Sequence, residues 1–582
     1  MENNLIPRPE HPRPDFERND WLNLNGAWEF DFDDLNRGEA ERWYETKELT
    51  KRITVPFCYQ SEMSGVNDQS LHEIMWYRRS FRVPDSFKGK RVFLNCGAVD
   101  YSAKVWINGE LAGAHQGGHV SFKMEITRFL ASDWNSIVIR AEDAYQCDQP
   151  RGKQDWREKP DRCWYTATSG IWQTVWLEAT GAVYLDQIRL TPDIDRRRLE
   201  AEIYLASYQE GLEVSLCSTY REMPVHSVKV SASAKVVTVI LEIKEVDPVD
   251  EMHYWTPEHP NLYDLEILLY RHGELTDRVR SYFGMRKIAV NGDRILLNNK
   301  PYYQKLVLDQ GYWPESLMTP PSDAAIRYDI EMTKKFGFNG ARKHQKIEDP
   351  RYYYWADRLG LLVWGEMPSG YEFNAVELEN LCREWFEFIK RDYNHPSIVV
   401  WVPFNESWGV RNILVDGRQQ ALARATYHLL KAWDGTRLVS ANDGWEQVES
   451  DICGIHDYEA SGEAFAVKYA RRDDLMRQGA TGRLIYAQGF HYQGQPVLIT
   501  EYGGISFASD VPENWGYHGA VRDEADFMER YAGITGAIKQ TAYICGYCYT
   551  QLTDVMQETN GLMDAQRRPK LAVDDVRRVN QG

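Results

Sequence analysis

Two glutamates each stand at the end of a run of apolar residues, where solvent does not explain a carboxylate. Glu406 ends the stretch IVVWVPFNE, residues 398–406, and Glu501 ends VLITE, residues 497–501. Apolar runs of this kind are typical of buried strands. Glycoside hydrolysis needs two carboxyl groups, because one gives a proton to the leaving oxygen while the other attacks the anomeric carbon. The two glutamates are therefore candidate catalytic groups.

Residues near this pair could control its ionisation and bind a sugar. A guanidinium or a tyrosine hydroxyl beside a carboxylate favours the ionised form. Arg342 and Tyr458 stand at the ends of predicted strands, where they could act in this way on Glu501. The amide of Asn405 could bond a sugar hydroxyl as the transition state forms.

These residues belong to a region in which short apolar segments alternate with helical ones. After about residue 290, segments such as LLVWGEM and VLITEYGG are separated by helical segments such as LENLCREWFEFIKRDY. This alternation predicts a parallel sheet, and eight units fit a (β/α)8 TIM barrel, whose active site lies at the carboxyl ends of the strands. Further candidates at such ends are Asp309, His344, Glu366, Asp443 and His456.

Two β-rich regions precede the predicted barrel. From about residue 20 to 180, short alternating apolar runs between turns predict an antiparallel β-sandwich. The next hundred residues repeat the pattern with some seven strands, which is immunoglobulin-like in size. We predict three domains: a jelly-roll sandwich (1–181), an immunoglobulin-like sandwich (182–289) and a TIM barrel (290–582).

Composition excludes several classes of protein and partner. The net charge of -18 argues against nucleic acid, whose binding depends on Lys and Arg. No apolar run approaches a membrane span, and the N-terminus has no signal-peptide pattern. Nine scattered cysteines predict a reducing, cytoplasmic setting. The CxxC of Cys545 and Cys548 has no second pair to complete a zinc site, so neither a metal nor a cofactor is predicted.

The stretches NHPSIVVWVPFNESWG, GQPVLITEYGG, NGARKHQ, WYRRSFRVP, VWINGE and SGIWQTVWLE together resemble glycoside hydrolase family 2 over essentially the whole chain. That family contains β-galactosidases, β-glucuronidases and β-mannosidases built from a jelly roll, an immunoglobulin-like domain and a catalytic TIM barrel. The resemblance implies that Glu406 is the acid/base and Glu501 the nucleophile of a retaining mechanism. It also implies that Asn405 bonds the sugar 2-hydroxyl, that Tyr458 touches the nucleophile and that Arg342 lies beneath it. The two carboxyl groups should then be about 5–5.5 Å apart.

Some positions depart from the family pattern and bear on the sugar. The β-glucuronidases of the family hold the sugar carboxylate with an Asn-x-Lys pair, which QETNGLMDAQRRPK lacks, so a glucuronide is disfavoured. Arg567, Arg568 or Lys343 could bind an acid group instead. Where relatives place a Trp on the last barrel strand, this chain has Thr550, flanked by the candidate sugar contacts Tyr549 and Gln551. Asp309 stands where galactosidase relatives carry a His.

The sandwich contributes one candidate segment, DQPRGKQDWREKPDRCWYTATSG, residues 148–170. It is too long and too charged for a hairpin turn, and a comparable loop of relatives reaches the active site. Asp161 and Trp164 are its candidate contacts, and Trp408 could stack on a sugar, although each Trp is individually more typical of a core.

We expect a retaining exo-β-glycosidase acting on a carbohydrate, with a β-galactoside favoured. The alternatives are an α-L-arabinopyranoside, a β-mannoside or a β-glucuronide as the substrate. A non-catalytic carbohydrate-binding protein is disfavoured because both glutamates are present. By analogy with relatives, the sequence leaves a homo-oligomer open.

Overall fold

The structure is a computed structural model of the 582-residue chain, and it describes residues 6–45, 47–243, 252–509, 511 and 513–582. The first five residues, part of the N-terminus searched for a signal peptide, lie outside the described residues. So does residue 244, the last of the strand-like segment VVTVILEIK.

An antiparallel β-sandwich forms the N-terminal part of the chain. Its strands are β1 (Trp21–Asn23), β2 (Gly26–Phe32), β3 (Lys51–Val55), β4 (Ile74–Arg82), β5 (Arg91–Cys96), β6 (Val99–Asp100), β7 (Ser102–Ile107), β8 (Glu110–Gln116), β9 (Phe122–Glu125), β10 (Trp134–Glu142), β11 (Gly170–Ile171) and β12 (Val175–Thr180). Short 3-10 helices span Glu62–Ser64, Asp85–Phe87 and Thr127–Phe129. The two larger sheets have the orders β1-β12-β5-β9 and β3-β2-β4-β10-β7-β8. Their inner faces share one apolar core, which includes Trp28, Tyr77 and Leu177.

A second, seven-stranded sandwich follows. Its strands are β13 (Leu185–Asp193), β14 (Arg198–Leu205), β15 (Leu212–Tyr220), β16 (Met223–Ser231), β17 (Val236–Glu242), β18 (Tyr263–Arg271) and β19 (Glu274–Phe283). They form sheets of the orders β13-β14-β17 and β16-β15-β18-β19. Every second residue of β15 is buried, because successive side chains of a strand point to opposite faces. The predicted immunoglobulin-like sandwich is confirmed.

Eight parallel strands form the C-terminal barrel, after a small antiparallel connection of β20 (Ile288–Asn291), β21 (Arg294–Leu297) and β22 (Lys300–Pro301). The barrel strands are β23 (Gln304–Asp309), β24 (Gly340–Lys343), β25 (Leu362–Glu366), β26 (Ile398–Val402), β27 (Leu438–Val439), β28 (Cys453–His456), β29 (Val497–Gly503) and β30 (Ile544–Thr550). The strands are ordered β27-β26-β25-β24-β23-β30-β29-β28, so that strands next to each other in the barrel also follow one another in the chain, apart from the pair β23 and β30, which joins the first strand to the last. The predicted TIM barrel is confirmed.

Helices surround the barrel, and several of them begin at a residue whose side chain caps the first turn. They are α1 (Asp323–Lys335), α2 (Pro350–Leu359), α3 (Ala375–Asp392), α4 (Gly417–Trp433), α5 (Gly462–Lys468), α6 (Arg472–Gln478), α7 (Glu524–Gln540) and α8 (Val573–Gln581). The side chains of Ser322, Asn374 and Asp523 accept a backbone N–H bond from the first turns of α1, α3 and α7. Such caps satisfy N–H groups that have no partner within the helix.

The segment between β10 and β11 of the first sandwich is fastened to the barrel. The backbone N–H groups of Arg151 and Gly152 donate to the carbonyl of Ser369 at 3.1 and 3.0 Å. Gly152 has a φ of +64°, and a Cβ there would lie 2.3 Å from the carbonyl oxygen of Gln345, so only glycine fits this approach. We call this segment, residues 143–169, the sandwich loop.

Within the described residues, no helix combines the length and apolarity needed to cross a membrane. Each of the nine cysteines is a free thiol.

Candidate active site

Glu406 stands just beyond the carboxyl end of β26, in a backbone conformation that L-residues rarely adopt. The φ values of Glu406 and Ser407 are +52° and +58°. The N–H of Glu406 donates to the carbonyl of Asp443, and that of Ser407 donates to the side chain of Asn442, both at 2.9 Å. The Glu406 side chain is 19% exposed. Strained, locally bonded backbone of this kind is typical of functional sites, and here it turns the carboxylate toward the pocket.

Glu501 lies within β29 and is more deeply buried, with its side chain 6% exposed. One carboxylate oxygen accepts a hydrogen bond of 2.9 Å from Nη1 of Arg342, and the other accepts a bond from the hydroxyl of Tyr458. The two hydrogen bonds fix the orientation of the carboxylate. The sequence predicted both neighbours of this carboxylate.

Arg342 is the fully buried centre of the site. Its Nε donates to Glu366 at 2.7 Å, and its Nη2 donates to the side-chain oxygen of Asn405 at 2.5 Å. Nη1 also lies 3.1 Å from Asp443. Because one planar guanidinium contacts residues of four strands or strand ends, it fixes their positions relative to each other.

His456 joins the two candidate catalytic carboxylates. Its Nδ1 lies 2.8 Å from Glu406 and 3.5 Å from Glu501, while its Nε2 lies 3.1 Å from Asp443. Burial disfavours the charged ring, but the surrounding carboxylates outweigh burial and raise the pKa of His456 to about 9. One ligand atom each from Glu406, His456 and Glu501 lies within 4.8 Å of the other two.

Glu366 carries a carboxyl group with a perturbed pKa beneath the site. Burial raises the pKa of Glu366 to about 7, although the Arg342 guanidinium opposes the rise. Its other oxygen accepts the backbone N–H of Gln345 at 3.1 Å. Glu366 therefore acts on the pocket through Arg342.

The pocket above these residues is built from both the barrel and the sandwich loop. The lining residues enclose about 380 Å³ of space, part of which is open to solvent. The barrel contributes, among others, Glu406, Glu501, Tyr458, His344, Trp408 and Thr550, and the sandwich loop contributes Lys153, Cys163 and Trp164.

Arg342, Asn405, His456 and Glu366 lie behind the lining residues, and four further predicted contacts do not line the pocket either. Asp161 is half exposed and pairs with Arg157 at 3.2 Å, because the loop turns it to solvent. Tyr549 packs its ring against Tyr531 outside the barrel strands, since alternate residues of β30 face opposite ways.

The other two lie beside the pocket but one layer behind it. Gln551 accepts a 2.9 Å bond from Gln310, and it is Gln310 that lines the pocket. Asp309 is held by Lys343 at 2.8 Å and is buried.

Several pocket residues were not predicted from the sequence. They include Lys153, Glu558, Tyr517 and Gln310. Glu558 accepts a 2.6 Å bond from the hydroxyl of Tyr165, and burial raises the pKa of Glu558 above its usual range. The ring of Tyr517 stacks on Tyr458 at 3.5 Å. Of these four residues, only Lys153 had a signal in the sequence that it could reach the site, because it belongs to a long, charged loop.

Family profiles match nearly the whole chain. The sugar binding, immunoglobulin-like and TIM barrel profiles of "Glycosyl hydrolases family 2" match residues 22–180, 183–286 and 288–582. The chain belongs to glycosyl hydrolases family 2. The resemblance drawn from the sequence is confirmed.

Curated relatives of this family member carry two kinds of name. A "Putative beta-glucuronidase" from Formosa agariphila is 27% identical over 66% of the chain and 46% of the relative. A "Beta-galactosidase" from Thermoanaerobacter pseudethanolicus is 28% identical over 67% of the chain and 51% of the relative. The chain thus spans about half the length of these two relatives. The "Beta-glucuronidase" of Canis lupus familiaris is 25% identical over 98% of the chain and 91% of the relative.

Solved structures share the fold of the whole chain. A "Lactobacillus rhamnosus Beta-glucuronidase" matches with a TM-score of 0.79 at 20% identity, covering 97% of this chain and 98% of the other. A "GH2 beta-galacturonidase from Eisenbergiella tayi" matches with a TM-score of 0.76 at 20% identity, covering 99% and 98%. At this identity the likeness shows the fold alone.

Proposed function

We propose that the protein is a retaining exo-β-glycosidase in which Glu406 is the acid/base and Glu501 the nucleophile. The observation that carries the proposal is that carboxylate oxygens of the two residues lie within 4.8 Å of one another. Retaining glycosidases need about 5–5.5 Å between their carboxyl groups, whereas inverting enzymes need about 6.5–9.5 Å to admit a water.

The surrounding contacts fit a two-step reaction. In the first step Glu501, oriented by Arg342 and Tyr458, attacks the anomeric carbon as Glu406 protonates the glycosidic oxygen, and the bond to the leaving group breaks. In the second step Glu406 removes a proton from water, which attacks the same carbon and releases Glu501. Two displacements at one carbon retain its configuration.

The shape of the site supports action on a terminal sugar. The sandwich loop closes the pocket on one side. At its rim the ring centroids of Trp164 and Trp408 lie 5.6 Å apart. A small closed pocket admits the end of a saccharide chain, whereas an open cleft would admit its middle.

For the sugar, we propose a β-glucuronide ahead of the β-galactoside expected from the sequence. The name β-glucuronidase belongs to relatives matched over nearly the whole chain, including the Canis lupus familiaris protein. A β-galactoside is the second candidate. The segment with Glu558 and Asn560 lacks the Asn-x-Lys pair with which β-glucuronidases of the family hold the sugar carboxylate, and a "Beta-galactosidase" is among the relatives.

The stereochemical course of hydrolysis tests the proposal. Proton NMR of the first product released from aryl β-glycosides should show the β-anomer before mutarotation. An α-anomer as the first product would contradict the assigned mechanism. No turnover across glucuronide, galactoside, mannoside and α-L-arabinopyranoside substrates would contradict the enzymatic function itself.

We also propose a cytoplasmic location, supported by the nine free thiols. Cell fractionation tests it. Light scattering on the purified protein tests whether the chain forms a homo-oligomer.

A further inference from the structure

A buried lysine of the sandwich loop lines the pocket. Lys153 is 9% exposed, and it is the one Lys or Arg side chain among the pocket-lining residues that the structure describes. Within the described part of the chain, no carboxylate oxygen lies within the 4.0 Å that defines an ion pair with its ammonium. Buried ammonium groups are rare without such a partner.

The other cations around the site are already paired. Arg342 is held by Glu366 and Glu501. Lys343 lies 2.8 Å from both Asp309 and Glu348.

The two arginines considered for an acidic sugar are also engaged. Arg567 donates to the carbonyl of Tyr312 and pairs with Asp329 at 3.3 Å. Arg568 is exposed and pairs with Asp564. Of the charged side chains considered, Lys153 alone is both in the pocket and without an ion-pair partner.

The thiol of Cys163 lies beside the Lys153 ammonium, and Glu558 and Glu501 act on it at longer range. Although burial opposes the charge, these groups together hold the pKa of Lys153 above its usual range. The pocket also contains Glu406. A negatively charged sugar would therefore be repelled by the pocket unless a cation bound its charge directly.

The loop backbone fixes the position of this lysine. The carbonyl of Gly152 accepts a bond from the hydroxyl of Tyr371, and the carbonyl of Lys153 accepts one from the N–H of Tyr165 at 2.7 Å. Tyr165 in turn bonds Glu558. The backbone of Gly152 is thus tied to the barrel, and that of Lys153 is tied to another part of the loop. Because both carbonyls are held, the ammonium is pre-positioned over the pocket.

We propose that Lys153 of the N-terminal sandwich binds the carboxylate of a uronic acid, and that this contact gives the site its preference for acidic sugars. The inference rests on the proposed glycosidase function. It assigns to a sandwich residue the role for which the barrel segment QETNGLMDAQRRPK lacks a lysine near Asn560.

Paired substrates that differ only at C6 test this role. The probes are 4-nitrophenyl β-D-glucuronide against the β-D-glucoside, and the β-D-galacturonide against the β-D-galactoside. Wild type should favour the uronide of at least one pair. Lys153→Met should lower kcat/KM for that uronide by about 100-fold, the loss expected for one hydrogen bond to a charged group, and leave neutral glycosides within a few fold. Lys153→Arg should retain part of the preference.

A lysine of the same loop provides the matched control. Lys159 is exposed, so Lys159→Met should leave both activities unchanged. The proposal is overturned if wild type prefers neutral sugars in both pairs, or if Lys153→Met lowers the two activities of a pair equally.

Binding separates this inference from the glycosidase proposal. If wild type hydrolysed no probe, the proposed function would fail on its own. D-Glucuronate should still raise the Tm of wild type more than D-glucose does, and Lys153→Met should abolish the difference. Equal effects of the two sugars on wild type would overturn the role of Lys153.

Discussion

The Nδ1 atom of His456 lies 2.8 Å from Oε1 of Glu406, and the same nitrogen lies 3.5 Å from Oε2 of Glu501. One imidazole thus contacts both carboxylates that the mechanism requires. Its Nε2 lies 3.1 Å from Asp443. Burial opposes ionisation of that carboxyl group, but the Arg342 guanidinium and His456 outweigh burial and hold the pKa of Asp443 well below its usual range. The ring therefore holds positive charge between the proposed acid/base and nucleophile.

The charge on His456 should make stability depend on pH. Its pKa is raised from 6.5 to about 9, so the charged ring stabilises the folded state fully below pH 6.5, and this contribution is lost as the pH rises through 9. A shift of this size corresponds to about 3 kcal/mol. His456→Asn should lower the Tm by several degrees more at pH 6 than at pH 9.5.

Thermal unfolding over this pH range checks the effect. His428 is exposed on α4, and His428→Asn is the control for replacing a histidine at the surface. A Tm difference for His456→Asn that grew toward high pH would have the wrong sign.

The two glutamates proposed as catalytic should differ in their dependence on the leaving group. Glu501→Gln should lose about 10⁴-fold or more in kcat on every substrate, because no group is left to form the glycosyl-enzyme. Glu406→Gln should lose about 10²–10⁴-fold on poor leaving groups but far less in the first step with dinitrophenyl glycosides, which need no acid.

Steady-state and burst kinetics separate the two variants. Added azide should accelerate Glu406→Ala, since this small anion needs no general base, and should yield a β-glycosyl azide. Equal losses for both variants on all leaving groups would contradict the assigned roles.

Arg342 should contribute to both activity and stability. Arg342→Met removes the donor to Glu501 and leaves buried carboxylates without their partner, so kcat should fall about 10²–10³-fold and the protein should lose about 3–5 kcal/mol of stability. The double variant Arg342→Met, Glu366→Gln should regain part of the Tm, because Gln removes the free-energy cost of either burying the Glu366 charge or protonating that carboxyl group. Thermal unfolding of the two variants measures this coupling. A double variant less stable than Arg342→Met would contradict it.

Two residues of the sandwich loop should behave differently. Trp164 lines the pocket and donates from Nε1 to the hydroxyl of Tyr371 at 2.8 Å, so Trp164→Ala should raise KM about 10-fold by removing a wall of the site. Asp161 points to solvent, and Asp161→Ala should leave KM unchanged. Initial-rate measurements on one substrate give the KM of each variant. A larger rise in KM for Asp161→Ala than for Trp164→Ala would contradict the described position of the loop.

Added metal ions should inhibit the enzyme. Glu406, His456 and Glu501 present ligand atoms close enough to hold a cation, but a cation there would occupy both catalytic carboxylates. Zn²⁺ should therefore compete with substrate, and His456→Asn should weaken this inhibition, whereas EDTA should not lower the activity of wild type. Loss of activity on chelation would point to a metal-dependent step.

The linear order of residues was enough to predict the barrel and the positions of the main site residues at its mouth. Strands alternate with helices in a parallel barrel, so Arg342, Asn405 and Glu501 had to meet wherever their strands ended. The same reasoning failed at Tyr549, since one residue along a strand decides whether a side chain faces the pocket or α7.

Periodicity and local motifs were enough to predict the three domains, the two glutamates and the family, because both are properties of neighbouring residues. Which cation has no ion-pair partner and can bind a ligand depends instead on long-range contacts. Acidic partners neutralise Lys343, Arg567 and Arg568. The partners of Lys343 and Arg567 lie far away in the chain or on another element. Lys153 reaches the pocket because its loop bonds to a barrel more than two hundred residues away, and such long-range bonds have no signature in local sequence.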